Sequence, residues 1–191
     1  CMHIDTEKKF PEMYEFRDRY VPEWGLNFIS DTCPPVEDMD ETLPPAARSA
    51  ARKTAGLKTL LEKHGFEGVI AGIRRDEEGT RAKERYFSPR GERGKWDIKE
   101  QPPEFWGQFN TTFPPGTHLR IHPLLHWTEI DIWRYTLREN IPTVPLYFAN
   151  EGKRYRSLGD ADITFPIDSV AETIPEIIAE LETTKISERS G

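Results

Sequence analysis

The sequence predicts an α/β protein whose sheet is doubly wound and mostly parallel, with helices on both of its faces. Short apolar segments typical of strands alternate with segments of helical apolar spacing along the chain. The tight two-residue turns that join hairpin strands are not found between them. Residues 68–72 form a continuous small and apolar run, which is typical of a strand buried on both faces.

The first third of the chain contains a strand, a helix and a second strand. Residues 1–5 read as the end of a strand, and Pro11 suits the first turn of a helix that continues to about residue 21. One apolar face of this helix is predicted from residues spaced three and four apart: Phe10, Met13, Phe16 and Tyr20. Residues 26–30 are predicted to form a short strand, and the acidic, proline-rich residues 31–45 a loop.

A long helix is predicted from Pro44-Pro45 to Gly65, where glycine is a natural C-terminal stop. The predicted buried strand follows at residues 68–72. Residues 73–95 are strongly charged, and residues 96–115 are rich in aromatic residues and proline. Such a long irregular region inside a domain usually carries function.

The last third contains one further strand and two helices. Residues 119–122 read as a strand, and Thr128 with Asp131 matches a capping box that opens a helix to about residue 140. A weakly structured stretch follows to about residue 170, and a second capping box, Thr173 with Glu176, opens the last helix. We therefore expect an α/β domain over residues 1–140 and an irregular C-terminal extension with a terminal helix over residues 141–191.

Composition narrows the class of function. The 191 residues carry a formal net charge of −7, whereas proteins that bind the phosphate backbone of nucleic acids are usually basic. No apolar run approaches the ~20 residues of a membrane helix, and no signal peptide is apparent. The two cysteines are too few for a disulfide scaffold, so we expect a cytoplasmic protein that binds neither nucleic acid nor a membrane.

One segment of the chain is basic, although the chain as a whole has a negative net charge. Residues 74–95 contain eight basic and five acidic side chains, which leaves a local charge of +3. A basic patch on an acidic protein suits a small polyanion better than a polymer. A solvated, charged loop is the alternative interpretation.

Two predicted strand ends carry polar side chains, and ligands of doubly wound sheets bind beyond the carboxyl ends of the strands. Asp5-Thr6 follows the first strand, and the run from Gly72 to Glu77 follows the buried strand. Gly72 permits close approach of a ligand, and Arg74 and Arg75 offer planar, bidentate donors for phosphate or sulfate. The acidic pair Asp76 and Glu77 is suited to a ribose hydroxyl, a magnesium ion or one of these arginines. Arg81 and Arg85 would share a face if they lay on a helix. An ion-pair network at a loop mouth is the alternative.

Three histidines lie at intervals of four residues, at His118, His122 and His126. This region reads as a strand interrupted by Pro123, and extended residues four apart are separated by about 13 Å. Because a zinc ion needs its ligands within ~2.1 Å, we predict no metal site at these histidines, and we assign no residue of the chain as a metal ligand.

Several motifs resemble the family of bacterial sulfate adenylyltransferase small subunits, which lies within a wider family that includes phosphoadenylyl-sulfate reductases. The strongest match is the Gly-Ile-Arg-Arg-Asp-Glu-Glu run at residues 72–78, followed by Arg-Ala-Lys-Glu-Arg at residues 81–85. The resemblance covers nearly the whole chain. The other matching segments are residues 2–14, Lys53-Thr54 with Leu57, residues 123–135, residues 145–149, residues 154–157 and residues 183–189.

The resemblance implies an adenine nucleotide alpha-hydrolase-like fold and the reaction of ATP with sulfate to give adenylyl sulfate and pyrophosphate. It also implies ATP and magnesium as cofactors, and a GTPase large subunit as partner in a heterodimer of sulfate assimilation. On this basis Arg74, Arg75 and Asp76 are the catalytic candidates. The candidates for nucleotide binding are Asp5 and Thr6 on the adenosine side, with Gly72, Glu77 and Arg81.

The chain departs from the family at its beginning. The family opens with a strand and a Ser-Gly-Gly-x-Asp-Ser loop that grips the pyrophosphate of ATP, and no such loop occurs in this sequence. We therefore expect the first strand to be missing here. Residues 31–52 also match the family poorly. Two alternatives remain: a related enzyme such as a reductase, disfavoured because no cysteine follows Cys33, and a non-catalytic nucleotide-binding protein.

Overall fold

The computed structural model describes residues 1–91, 101–186 and 188, and it contains the α/β architecture that the sequence predicts. Its helices are α1 (Pro11–Glu23), α2 (Pro45–His64), α3 (Glu129–Arg138) and α4 (Ile174–Thr183). Its strands are β1 (Met2–Asp5), β2 (Ile29–Thr32), β3 (Gly68–Ile70), β4 (Phe87–Arg90), β5 (His118–Ile121), β6 (Lys153–Arg154) and β7 (Ile167–Asp168).

Within the described residues the strands belong to three small sheets. Strand β1 pairs with β2 in parallel, and β3 pairs with β5 in parallel. Strand β4 lies on the other side of β5 and runs antiparallel to it, and β6 and β7 form a short antiparallel pair. Over the same residues, none of the helices has the length and apolar character required to cross a membrane.

The chain forms two compact units. The first unit contains Cys1–Lys63 and Thr136–Thr183, and the second contains His64–Tyr135 with the chain end from Thr184. The first unit thus holds β1, β2, α1, α2 and the C-terminal helix α4, whereas the second holds β3, β4 and β5. The predicted division into residues 1–140 and 141–191 stays a prediction.

Helix α2 is packed tightly in the first unit. A side chain added at Gly56 would place its Cβ 2.9 Å from Ile4 Cγ2 on β1 and 3.1 Å from Cys33 Sγ, so glycine allows the close approach. Leu60, one turn further on, is completely buried. Arg52 is also buried, and its guanidinium donates to the carbonyl oxygens of Pro34 and Thr6.

The second unit is built around the parallel pair β3–β5. Val69 on β3 and Leu125 after β5 are buried. Helix α3 starts where the sequence predicts, because Thr128 and Asp131 form the expected reciprocal cap with an Oγ1–Oδ2 distance of 2.6 Å. This cap fixes the start of α3 just beyond the carboxyl end of β5.

Four local predictions are corrected. The run at residues 68–72 was predicted to be a strand buried on both faces, but the strand covers only Gly68–Ile70, and Ile70 is 74% exposed. The second strand lies at Ile29–Thr32, not at residues 26–30, so the predicted loop at residues 31–45 begins within it. Strand Phe87–Arg90 was not predicted, because Pro89 and a polar face hide its pattern. Arg81 and Arg85 do not share a helix face: the 3₁₀ helix Gly79–Lys83 ends before Arg85.

Candidate active site

The chain that leaves β3 in the second unit runs alongside the chain that leaves β5. The amide of Ala71 donates to the Ile121 carbonyl at 2.9 Å, and the amide of Arg75 donates to the Leu125 carbonyl at 3.0 Å. Between these two contacts Gly72 is exposed, and a Cβ built on it would meet only Leu124 Cδ1, at 3.9 Å. The backbone at Gly72 is therefore open to the close approach of a ligand.

Arg74 is buried and its charge is compensated. Its Nε donates to Asp76 Oδ1 at 3.0 Å, and its Nη2 donates to Glu188. Burial alone would lower the pKa of Arg74, but the two carboxylates raise it. Asp76 also accepts a hydrogen bond from the amide of Glu129 at 2.6 Å, so it joins Arg74 to the N-terminus of α3.

Arg75 has a different environment. Its Nη2 donates to the carbonyl oxygen of Glu84 at 2.8 Å, and its Nη1 contacts Nε2 of His126. Nδ1 of that ring lies 2.6 Å from the Tyr86 hydroxyl. Because a guanidinium only donates, Nε2 accepts and the neutral ring carries its proton on Nδ1. In the described part of the chain no carboxylate pairs with Arg75, so its positive charge stays available to an anion.

The next two predicted residues pair with each other. Arg81 Nε lies 3.0 Å from Glu77 Oε1 and 3.0 Å from Glu78 Oε1. Glu77 is buried, whereas Arg81 is partly exposed. Six predicted residues thus lie in the segment from Gly72 to Arg81, where the charged ones form separate sets of contacts. Among them, Arg75 is the member whose charge no described carboxylate compensates. Residues 92–95 of the basic segment lie outside the described residues.

The other two predicted residues lie at the end of β1, in the first unit. Asp5 Oδ1 accepts hydrogen bonds from the Tyr14 hydroxyl and from the amide of Glu7, both at 2.7 Å. Burial raises the pKa of Asp5, but these hydrogen bonds lower it to below its ordinary value. Glu7, whose amide makes this contact, adopts a left-handed backbone with φ of 59°.

Thr6 is buried, and its hydroxyl donates to Asp160 Oδ1 at 2.6 Å. Asp160 accepts three further contacts, and we call this group of five side chains the Asp160 cluster. The additional donors are Lys9 at 2.8 Å, Ser49 at 2.5 Å and Lys53 at 3.1 Å. Burial alone would raise the pKa of Asp160, but these hydrogen bonds lower it well below its ordinary value.

Sequence analysis missed most of this cluster. Asp160 is 154 residues from Thr6, and no local pattern marks it as a partner. Lys53 was considered only as part of a family motif. Ser49 and Lys53 lie four residues apart on the predicted long helix, so the sequence already indicated that they share a face. His126 was considered only as a metal ligand, whereas in the structure it contacts Arg75.

The histidines do not converge in the structure. His122 is buried with Nδ1 2.7 Å from the Arg85 carbonyl, and burial lowers the pKa of this ring. Within the described residues, no three His, Cys, Asp or Glu side chains are placed to hold a metal ion. The chemistry that this region offers is electrostatic: guanidinium groups and an open glycine just after β3, a strand in which only Val69 is buried.

Comparison with known proteins gives a consistent result for the whole chain. A family profile described as the phosphoadenosine phosphosulfate reductase domain matches residues 1–166. Sulfate adenylyltransferase subunit 2 of Pseudomonas paraeruginosa is 40% identical over 228 aligned residues, which cover 100% of this chain and 74% of that protein. The proteins of the same name from Pseudomonas putida and Stutzerimonas stutzeri are each 39% identical, with the same two coverages.

Solved structures agree on the fold. FMN adenylyltransferase of Candida glabrata, in complex with FMN and the ATP analogue AMPCPP, superposes with a TM-score of 0.53 at 20% identity. The match covers 86% of this chain and 44% of that enzyme. A second structure of the same enzyme, with FAD and pyrophosphate, gives a TM-score of 0.52 at 18% identity, covering 84% and 40% of the two chains.

At these identities the structural matches support the fold alone, and the sequence matches support the family. The predicted α/β class and the predicted family are both confirmed. The chain therefore belongs to the sulfate adenylyltransferase subunit 2 family of nucleotidyltransferases, and its residues 1–166 belong to the phosphoadenosine phosphosulfate reductase domain family.

Proposed function

We propose that this chain is the catalytic subunit that transfers the adenylyl group of ATP to sulfate, giving adenylyl sulfate and pyrophosphate. The observation that carries the proposal is the 40% identity to sulfate adenylyltransferase subunit 2 over the full length of the chain. A GTPase large subunit is the proposed partner, because formation of adenylyl sulfate is strongly uphill and needs a coupled source of free energy. In this role the chain works in sulfate assimilation in the cytoplasm.

In the proposed reaction a sulfate oxygen attacks the α-phosphorus of ATP, a new P–O bond forms, and the bond to the bridging oxygen of pyrophosphate breaks. Such transfers need little covalent help from a protein, and positioning with charge neutralisation dominates. We assign the neutralisation of negative charge on the phosphate and sulfate oxygens first to Arg75, since its guanidinium contacts the ring of His126 and the carbonyl oxygen of Glu84 and no described carboxylate. Arg74 is held by carboxylates, so we assign it a supporting role with Asp76.

The remaining predicted residues are proposed to position the nucleotide. Gly72 has the open space that a phosphate or ribose needs beside the backbone. The pKa of Asp5 lies below its ordinary value, so its carboxylate is ionised at neutral pH and is suited to accept a hydrogen bond from a ribose hydroxyl. Thr6 is proposed to act through its backbone, because its hydroxyl is already committed to Asp160. Glu77 and Arg81 form an ion pair, and we propose that this pair holds the segment after β3 in place.

Magnesium is proposed to enter with the triphosphate. Mg²⁺ usually keeps several waters and binds through one or two carboxylates together with substrate phosphates. Asp76 is the exposed carboxylate at this strand end and is the candidate protein ligand. The ion would reduce the negative charge on the phosphate oxygens.

A sulfate-dependent exchange of labelled pyrophosphate into ATP tests this function, with the full-length protein and its GTPase partner. Arg75→Gln is expected to lower the exchange rate by about 10- to 100-fold, the loss of one or two charge-assisted hydrogen bonds. Arg138→Gln is the matched control, because this arginine on α3 is 70% exposed and lies outside the proposed site. Equal exchange by both variants would remove Arg75 from the mechanism.

The same assay separates the alternatives. A reductase would release sulfite and would need a nucleophilic cysteine, whereas the cysteines of this chain are the exposed Cys1 and the buried Cys33. A non-catalytic protein would bind ATP without exchange. Formation of sulfite, or nucleotide binding with no exchange in the complete heterodimer, would each refute adenylyl transfer.

A further inference from the structure

The hairpin-like pair β4–β5 in the second unit has one face made entirely of polar side chains. The antiparallel register places Ser88 opposite Arg120 and Arg90 opposite His118. Because side chains alternate along a strand, these four residues share a face, which we call the β4–β5 polar face. Ser88 is 0% exposed and Arg90 5% exposed, so the middle of this face is withdrawn from water.

One carboxylate serves the polar face. Glu84 is buried and accepts from Arg90 Nη2, with distances of 3.1 Å and 2.9 Å to its two oxygens. The hydroxyl of Ser88 lies 3.2 Å from the same carboxylate. Burial raises the pKa of Glu84, but the opposing effect of Arg90 outweighs it and the net pKa is below the ordinary value. The carboxylate is therefore ionised at neutral pH. Glu84 therefore compensates Arg90.

Arg120 is left without a counter-charge. It is half-buried, and in the described part of the chain no carboxylate lies within ion-pair distance of its guanidinium. Its Nε is buried without a hydrogen-bond partner. Burial, together with the nearby Arg90, lowers the pKa of Arg120, whereas Glu84 raises it to a smaller extent.

Two more nitrogen atoms on the polar face also lack a hydrogen-bond partner among the described residues. They are the buried Arg90 Nε and His118 Nε2. His118 interacts electrostatically with both arginines, which places the three side chains together. The two guanidinium groups carry two positive charges and Glu84 carries one negative charge, so one positive charge is not compensated. Three buried nitrogen atoms beside it have no hydrogen-bond partner among the described residues.

Buried polar atoms in native proteins are nearly always hydrogen-bonded, and a half-buried cation without a counter-charge is unfavourable. The missing component is therefore an acceptor with negative charge. Guanidinium groups match the oxygen edges of tetrahedral oxyanions through paired N–H donors. We propose that Arg120, with Arg90 and His118, binds a small tetrahedral oxyanion of the sulfate and phosphate class on the β4–β5 polar face. The choice of sulfate as first ligand rests on the proposed function.

Binding is best measured directly on the 191-residue chain, by calorimetric titration and thermal unfolding in sodium sulfate against sodium chloride at equal ionic strength. The wild-type protein is expected to show saturable sulfate binding and a rise in unfolding temperature. Arg120→Gln is expected to weaken this binding by about 10- to 100-fold, since it removes the charge-assisted bonds. In chloride alone the same variant is expected to be at least as stable as wild type, because a buried uncompensated charge has been removed.

Two further variants sharpen the test. Arg120→Lys keeps the charge but loses the planar fork, so an intermediate affinity is expected. Arg138→Gln, on an exposed arginine, is expected to respond to sulfate like wild type. Titrations with inorganic phosphate and with ATP distinguish a free oxyanion from a nucleotide phosphate as the source of the ligand. A response to ATP that Arg120→Gln abolishes would assign the site to the nucleotide.

Two outcomes would overturn the proposal. Sulfate stabilising Arg120→Gln as much as wild type would place the anion elsewhere. Unfolding of Arg120→Gln in chloride, with Arg120→Lys well folded but unresponsive to sulfate, would make Arg120 a structural cation. Failure of the proposed function is a separate result, because it is read as absence of adenylyl sulfate in the heterodimer and leaves sulfate binding by this chain unaffected.

Discussion

The Asp160 cluster and the β4–β5 polar face are both buried groups of charged side chains, and they differ in how their donors are satisfied. In the cluster, Thr6, Lys9, Ser49 and Lys53 all point at one carboxylate. None of those donors is left without an acceptor in the described structure. On the polar face, Glu84 accepts hydrogen bonds from Arg90 and Ser88, while no carboxylate of the described residues pairs with Arg120.

This difference separates a structural role from a binding role. A carboxylate whose oxygens are fully occupied by the protein stabilises the fold and has little left to offer a ligand. A buried guanidinium without an acceptor destabilises the empty protein and gains when an anion arrives. Among the predictions below, those on Asp160 and Glu84 test whether the two regions behave in these opposite ways.

The largest effect is expected in the Asp160 cluster. Asp160→Asn removes the charge that holds Lys9 and Lys53, and the variant is expected to lose about 3–5 kcal/mol of unfolding free energy. Urea denaturation followed by circular dichroism measures this loss. Asp162→Asn is the matched control, because its contact with Lys8 is at the surface and contributes about 0–1 kcal/mol.

The pH dependence of Asp160 has a defined sign. Its pKa is lower in the folded protein than in the unfolded chain, so its stabilising contribution is fully present above the unfolded value of about 3.9. As the pH falls below that value, the contribution is progressively lost. The difference in stability between wild type and Asp160→Asn should therefore shrink between about pH 4 and pH 2. A difference that stays constant with pH would show that the carboxylate charge is not the cause.

The second effect concerns the other region. Glu84→Gln leaves the buried Arg90 and the half-buried Arg120 with no carboxylate among the described residues, and a loss of about 3 kcal/mol in unfolding free energy is expected in chloride. In contrast to Asp160→Asn, this variant should recover part of its stability when sulfate is added, because the anion replaces the lost charge. If sulfate restored the stability of Asp160→Asn and not that of Glu84→Gln, the Asp160 cluster would be the anion-binding region and the polar face the structural one.

A smaller effect is expected from adding one methyl group in each unit. Gly56→Ala brings a Cβ within 2.9 Å of Ile4, and the net loss is about 1–2 kcal/mol after the gain in helix propensity. Gly72→Ala meets no atom closer than 3.9 Å and should unfold like wild type, yet it should weaken ATP binding if the backbone there faces the nucleotide. Thermal unfolding with ATP titration of both variants distinguishes the packed glycine from the open one.

The smallest effect is a gain. Glu7 holds a left-handed backbone with φ of 59°, which an L-residue adopts at a cost and glycine adopts freely. Glu7→Gly should raise the unfolding free energy by about 0.5–1 kcal/mol. Because the amide of residue 7 still donates to Asp5, nucleotide binding should be unchanged. A destabilised variant would mean that the Glu7 side chain makes a contribution larger than the backbone strain.

The regular elements were predictable where local chemistry decides them. The apolar spacing from Phe10 to Tyr20 predicts α1, and the capping boxes at Thr128 and Thr173 predict the starts of α3 and α4. Strand β4 was not predictable, since its Ser88 and Arg90 are polar although both are buried. Buried polar strands lack the alternation of apolar and polar residues on which strand prediction depends.

The candidate site was predictable only at the strand ends. The Arg-Arg-Asp-Glu motif after β3 identified the relevant segment, but not that carboxylates compensate Arg74 while Arg75 contacts a histidine. Asp160 joins the first unit from a loop far along the sequence. The chemical identity of such partners depends on tertiary contacts, and no local pattern encodes them.

The tight packing of Gly56 against Cys33 shields one of the two thiols. Cys33 is 4% exposed, and burial raises the pKa of its thiol, whereas Cys1 is exposed. A maleimide dye should therefore label one sulfur in the native molecule, at the chain terminus, without any engineered cysteine. Slow attachment of a second dye would then report how often helix α2 separates from the loop after β2.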